Sequence, residues 1–278
     1  MADPHIPADG LSRTALYTAW VRAAETDLFT DPLAGHLLRE LGDHEGLASF
    51  VEQMRSSANG FATYHLVRTR YFDDRLGEAF AAGVRQVVTL AAGIDGRPAR
   101  LPCPPGTRWF ELDLPAMTEF KTALLARSGL RLSCDRAGVA ADLTTDWANP
   151  LRQAGFTSSR PTAWLVEGVL MYLTPSQGDA LLDAVTALSA PGSHLFLEHL
   201  QASMLGSRGS RVREGLKKQE VVFAAGRDDI ADWLGAAGWR AEVHAGDDPA
   251  IGHGRSVAPV PAAWLASGRL AGGTAPGR

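Results

Sequence analysis

The segment VRQVVTLAAGIDGRPAR, residues 84–100, decides how this chain is read. Val84 to Leu90 is short, β-branched and apolar, and it runs straight into Ala91-Ala92-Gly93. Such a run reads as a strand buried on both faces, ending in a turn of small residues where a ligand can approach the backbone closely. Downstream, strand and helix patterns alternate. Trp109–Asp113, Ala137–Ala141, Thr162–Glu167 and His194–Glu198 read as strands. Helices fit Pro115–Ser128 and the stretch from Thr174-Pro175 to about Leu188, the latter with a strong cap and first-turn proline. Strands that are continuous apolar runs, separated by helices, predict a parallel sheet covered on both faces.

Upstream, residues 1–80 read as helical. Ser12–Glu25 carries Leu16, Ala19, Trp20, Ala23 and Ala24 at helical spacing, with Ser12 as N-cap candidate. Thr30-Asp31-Pro32 opens a second helix, Gly46–Met54 gives a third and Phe61–Phe80 a fourth. Beyond the fifth strand, residues 201–226 are polar and rich in Gly, Ser and Arg, the pattern of a lid-like insertion. Arg227–Ala237 reads as a helix, Trp239–His244 and Ser256–Trp264 as the last two strands, and the Gly-rich residues 266–278 as a flexible tail. The expected organisation is an N-terminal helical cap (1–80) and a sheet domain (81–265).

Composition bounds the function. The 278 residues hold 27 Lys+Arg against 31 Asp+Glu, a net charge of -4, which argues against a sequence-independent grip on nucleic acid. No 18-residue apolar stretch and no basic n-region with an apolar h-region is seen, so neither a membrane span nor a secretory leader is expected. The two cysteines, Cys103 and Cys134, lack a CxxC partner, so no zinc site or disulfide framework is expected and a reducing cytoplasm is the default. The basic run Arg208, Arg211, Arg213, Lys217 and Lys218 reads as a solvated face or as an attractor of an anionic substrate.

In an open parallel sheet the ligand lies beyond the C-terminal strand ends. Asp113 lies 20 residues after Gly93, where an acid accepts hydrogen bonds from a ribose diol; an ordinary capping acid at a strand end fits the spacing equally. Asp142-Leu143 closes the third strand, where an acid can accept from an adenine amino group. Glu167 closes the fourth after an apolar run, where leaving a charge unpaired is costly, so it holds either a cationic ligand group or a helix arginine.

The ordered series VVTLAAGIDGRPARL (87–101), WFELDLP (109–115), ADL (141–143), WLVEGVLMYLTP (164–175) and APGSHLFLE (190–198) resembles the leucine carboxyl methyltransferase superfamily, in its actinobacterial-type O-methyltransferase branch. HLVRTRYFDDRL (65–76), LGAAGW (234–239) and GHGR (252–255) resemble its flanking motifs. The resemblance implies an α/β, class I, Rossmann-like fold with a seven-stranded sheet whose last strand is antiparallel, dependent on S-adenosylmethionine. It implies that Ala91 and Gly93 lie under the cofactor, that Asp113 binds its ribose, that Asp142 and Leu143 bracket its adenine, that Glu167 faces its amino group, and that Arg68 or Arg70 pairs with its carboxylate. Where the family has Gly-Ala-Gly this chain has Ala91-Ala92-Gly93, which adds a methyl at the turn.

Methyl transfer from a sulfonium is chiefly an alignment task. A carboxylate acceptor needs no base, whereas a phenol does, and no convincing acid or histidine cluster at metal-ligand spacing stands out. The leading expectation is therefore a methyl ester formed on a carboxylate of a specialised metabolite or peptide, with Arg22, Arg68, Arg70 or Arg97 to hold it and Tyr172 as a donor. A hydroxyl O-methyltransferase comes second, with His199 as a base; Glu198-His199 is also read as an ordinary strand-end pair. His65 and His194 stand in no special context. A nucleotide-dependent oxidoreductase is disfavoured by the missing G-x-G-x-x-G, and a SAM-binding protein without turnover is the non-enzymatic alternative. Acceptor identity and oligomeric state stay open.

Overall fold

The computed structural model describes residues 10–42, 60–217, 221–257 and 262–271. The expected helix at Gly46–Met54 lies outside the described residues. The sheet has seven strands: β1 (Gln86–Leu90), β2 (Arg108–Asp113), β3 (Asp135–Ala140), β4 (Thr162–Val166), β5 (His194–Leu200), β6 (Trp239–Ala245) and β7 (Ala263–Leu270). Their order is β3-β2-β1-β4-β5-β7-β6. The first five run parallel, and β7 is antiparallel to both β5 and β6. The central strands β1 and β4 are buried at every position, as their unbroken apolar runs require.

Helices cover both faces. α1 (Gly10–Ala23), α2 (Pro32–Leu41) and α3 (Phe61–Ala81) precede β1. The short α4 (Arg97–Arg100), then α5 (Pro115–Ser128), α6 (Ala148–Gln153), α7 (Pro175–Ala187), α8 (Ser210–Lys217) and α9 (Ile230–Ala236) follow. Asp31 caps α2 by accepting from Ala34 N at 3.0 Å, with Pro32 in the first turn. Thr174 and Gln177 close a reciprocal capping box on α7. α1 already begins at Gly10, so Ser12 sits inside its first turn rather than capping it.

Alternate side chains of the strands feed two apolar layers. Val88, Phe110, Trp164 and Leu195 face one way, towards Leu181 and Leu234. Val87, Trp109, Leu165 and Phe196 face the other, towards Tyr71, Phe72 and Leu76 of α3. α3 is thus a covering helix of the sheet. A third cluster ties α1 and α2 to the β1 loop and α5 through Leu16, Leu33, Leu37, Ile94 and Met117.

One sequence expectation is displaced. The last strand is Ala263–Leu270, not Ser256–Trp264, so it runs beyond the expected domain end at 265 and into the expected tail. After β5, 3-10 turns at Ala202–Leu205 and Ser207–Gly209 lead into α8. The segment is tied down where Ala224 N donates to Met171 O at 2.7 Å and Arg227 N to Leu200 O at 2.9 Å. No helix among the described residues is long and apolar enough to cross a membrane.

Candidate active site

The C-terminal ends of β1 to β5 open into one cavity of about 460 Å³, roofed by α1 and the first two turns of α3. Leaving β1, the chain turns through Ala91 at φ 54° and Gly93 at φ 48°. Both lie in the left-handed region, which costs a non-glycine residue about 1–2 kcal/mol. Gly93 also permits close approach, since a Cβ there would lie 3.3 Å from Ala15 Cβ of α1. Its N–H donates to Asp113 Oδ2 at 2.6 Å, and Leu114 N donates to Oδ1 at 2.8 Å. Burial nevertheless raises the Asp113 pKa above the ordinary carboxylate range. Asp142, at the exposed rim, accepts from the N–H and hydroxyl of Thr144, which lower its pKa.

Val166 of β4 pairs with Leu197 of β5, so the next residues, Glu167 and Glu198, lie side by side. Arg68 on α3 bridges them, Nε to Glu167 at 2.8 Å and Nη1 to Glu198 at 2.7 Å. Glu198 also accepts from Tyr64 Oη at 2.6 Å and Gly168 N at 2.9 Å. Arg97 reaches Glu167 at 2.8 Å, Asp73 at 2.7 Å and Asp95 at 3.1 Å. Burial alone would raise the Glu167 pKa, but Arg97 and Arg68 outweigh it and hold the carboxyl low. Arg22 donates to Asp31 at 2.7 Å and to Ile94 O, and Arg100 to Asp73 at 2.6 Å. In this network four arginines meet five carboxylates (Asp31, Asp73, Asp95, Glu167 and Glu198), and Asp113 adds a sixth.

The cavity wall changes character past Glu167. There Leu11, Phe61, Met171, Tyr172, Leu200 and Phe223 make an apolar, ring-rich surface. Tyr172 lies 5.9 Å from Phe223, ring to ring, and burial with the nearby Glu198 carboxylate pushes its phenol up to about 12.

Ten of the expected site residues line this one cavity: Arg22, Arg68, Ala91, Gly93, Arg97, Asp113, Asp142, Leu143, Glu167 and Tyr172. Arg70 does not. It sits on the outer side of α3, paired with Asp74 at 2.9 Å and with Leu28 O at 2.8 Å. His199 also falls away. Strand alternation turns it to the opposite face from Glu198, 6.3 Å from the Trp233 ring, where burial lowers its pKa to about 4. Tyr64 was missed, and His65, set aside as standing in no special context, lines the cavity too. Their signal was helical spacing, since Phe61, Tyr64, His65 and Arg68 share the inward face of α3.

The residues fit an aminoacyl nucleoside sulfonium. Asp113 and Asp142 offer acceptors to a ribose and an adenine, Glu167 offers a carboxylate to an ammonium, and Arg68 Nη2 carries no bond to a described residue.

A sheet of this order with this cavity at its strand ends has the fold of class I S-adenosylmethionine-dependent methyltransferases. A DUF574 family protein from Streptomyces avermitilis shares the fold at TM-score 0.67 and 15% identity, over 92% of this chain and 96% of its own. A structure from Thermobifida fusca does so at 0.61 and 19% identity, over 87% and 94%. The leucine carboxyl methyltransferase family profile matches residues 12–186, and the chain belongs to that family. A relative from Parafrankia sp. is 43% identical over 243 residues, 83% of this chain and 77% of its own. One from Mycolicibacterium vanbaalenii is 41% identical over 238 residues, 80% and 78%. Both bear the name "Putative S-adenosyl-L-methionine-dependent methyltransferase".

Proposed function

We propose that this methyltransferase methylates the hydroxyl oxygen of a small, apolar, ring-bearing molecule such as a specialised metabolite. The carrying observation is electrostatic. The arginines expected to hold a carboxylate acceptor, Arg22, Arg68 and Arg97, each already serve carboxylates of the chain, and acids outnumber them. An anionic acceptor would meet a like-charged wall, and juxtaposed like charges cost several kcal/mol. A neutral acceptor meets no such barrier, and the apolar half of the cavity supplies burial for it.

In this reading Asp113 holds the ribose, Asp142 and Leu143 border the adenine, Glu167 takes the ammonium, and Arg68 turns its remaining N–H groups to the cofactor's carboxylate. Gly93 lets the cofactor and α1 approach the β1 turn closely. When bound, S-adenosylmethionine supplies a methyl on a sulfonium centre, open to in-line attack. The chain's share is alignment and the exclusion of water.

A carboxylate acceptor giving a methyl ester is the second reading. It is favoured by the phenol of Tyr172, a donor group at the apolar wall. The test is turnover of 2-naphthol and 2-naphthoic acid with S-adenosylmethionine, followed by mild alkali. An alkali-stable ether from the naphthol supports the hydroxyl reading. A labile ester from the acid, with no ether, overturns it in favour of the second.

A further inference from the structure

His65 lines the cavity on the inward face of α3, one turn before Arg68. Its Nδ1 lies 3.0 Å from the carbonyl oxygen of Phe61. A carbonyl only accepts, so Nδ1 must carry the ring's proton. In the neutral ring that leaves Nε2 with its lone pair, and no described residue donates to it.

The surroundings hold that state. The Phe61 ring lies 4.5 Å away, Tyr64 5.6 Å and Tyr17 5.9 Å, centroid to centroid, so the imidazole is fixed in a box of rings. The charged and titratable groups facing it are Arg68 and Tyr64 of its own helix and Arg22 and Tyr17 of α1; Glu198 of β5 lies behind Tyr64. Burial first, and then the positive charges of Arg68 and Arg22, keep its pKa well below the ordinary histidine value. The ring is therefore neutral near pH 7, an acceptor beside the apolar wall.

We propose that His65 is the catalytic base, taking the proton of the acceptor hydroxyl at Nε2. This rests on the hydroxyl reading above. An oxygen lone pair forms the new O–CH3 bond, and the methyl–sulfur bond breaks with its electron pair left on sulfur. The O–H proton passes to Nε2, giving an imidazolium that later returns the proton to solvent. A weak base suffices, because the O–H becomes strongly acidic only as the O–CH3 bond forms, and the transfer accompanies that step. Arg68 and Arg22 then favour prompt loss of the proton.

The test has two parts on the full chain. Long-range 1H–15N correlation spectra, with His65→Gln to assign the signal, report the tautomer without turnover. The expected result at about pH 7 is protonated Nδ1, bare Nε2, and a shift of the Nε2 resonance when 2-naphthol is added to the S-adenosylhomocysteine complex. A protonated Nε2, or an Nε2 signal indifferent to naphthol, overturns the proposal. Kinetics give the second part. His65→Gln is expected to keep S-adenosylhomocysteine affinity within about twofold and to lose roughly 100-fold in kcat. Its residual rate should climb with pH as the naphthol ionises, while the parent profile stays flat. A variant with parental kcat refutes the role of His65 and leaves the hydroxyl reading standing; ester formation alone refutes the hydroxyl reading itself.

Discussion

Replacing Glu167 by Gln tests the centre of the site, and the structure sets the size of the effect. One Glu167 oxygen accepts Arg68 Nε–H at 2.8 Å, and the other lies 2.8 Å from Arg97 Nη1 in an ion pair. The amide keeps one acceptor and turns an NH2 group towards the other arginine. Neither arginine is stranded: Arg68 retains Glu198, and Arg97 retains Asp73 and Asp95. The loss is then that of one charge-assisted hydrogen bond, about 1.5–3 kcal/mol, rather than the larger cost of an orphaned buried charge. The proposed bond to the cofactor's ammonium disappears as well, which weakens S-adenosylhomocysteine binding by roughly 10- to 150-fold. Urea unfolding reads the first number and isothermal titration the second. The pH dependence has a definite sign. Glu167 has a folded pKa below its unfolded one, so its contribution is complete above the ordinary glutamate range and fades as pH falls towards the lowered value. The stability gap between parent and variant must close in acid. A gap that ignores pH would refute the ion-pair account, and a folded variant with parental affinity would remove Glu167 from the cofactor site.

Asp113→Asn should cost about 1–3 kcal/mol of S-adenosylhomocysteine affinity by titration, yet barely move the melting temperature of the free protein. Because burial raises the Asp113 pKa, ionised Asp113 lowers stability as pH climbs from the ordinary aspartate range through the folded value, and the Asn variant should lack that decline in urea titrations at graded pH. Ala91→Gly relieves a left-handed alanine at φ 54° and, after the added unfolded-state entropy, should stabilise by about 0.5–1 kcal/mol in urea. Gly96→Ala places a Cβ 2.2 Å from Asp31 Oδ1, a carboxylate pinned by Arg22 and by its cap on α2. Overpacking and a lost cap together should destabilise by about 2–4 kcal/mol, read as a clear fall in melting temperature.

Much of this fold is legible in the chain because its central strands are chemically unambiguous. Gln86–Leu90 and Thr162–Val166 are buried throughout, and a buried parallel strand has no polar face to obscure it. β7 was misplaced for the converse reason. AWLASGRL is poor in β-branched residues and contains Gly268, which reads as tail composition, yet the strand is fixed between two neighbours that supply all its partners. In the site, the acids were legible from their places at strand ends, Asp113 by its spacing after Gly93 and Glu167 by the apolar run it closes, and both line the cavity. Arg68 and Arg70 were not separated, although helical phase does so: Tyr64, Arg68, Tyr71 and Phe72 are buried, and Arg70 falls between them. The same neglect of phase chose His199 over Glu198. The expected choice for Glu167 between a cationic ligand group and a helix arginine is met in part by Arg68. That Asp73 and Glu198 also serve the cavity arginines was not legible, because they come from elements that only the tertiary fold brings together.

The position of β7 also governs the order in which the molecule can be assembled. Among the described residues β6 pairs in the sheet only with β7, which follows it in the chain, so that pairing waits until residues 263–270 exist. The two strands form an antiparallel pair that joins β5 along His194–Leu200, the strand whose Glu198 anchors Arg68 and Tyr64. This pair is a natural cooperative unit, able to open and close together in native-state hydrogen exchange. Its docking joins residues far apart in the chain, from His194 with Arg269 to Leu200 with Ala263. The ion network of the site is thereby coupled to that strand pair, so a chain halted before β7 would carry nearly every cavity residue and still lack the support that holds Glu198 in place.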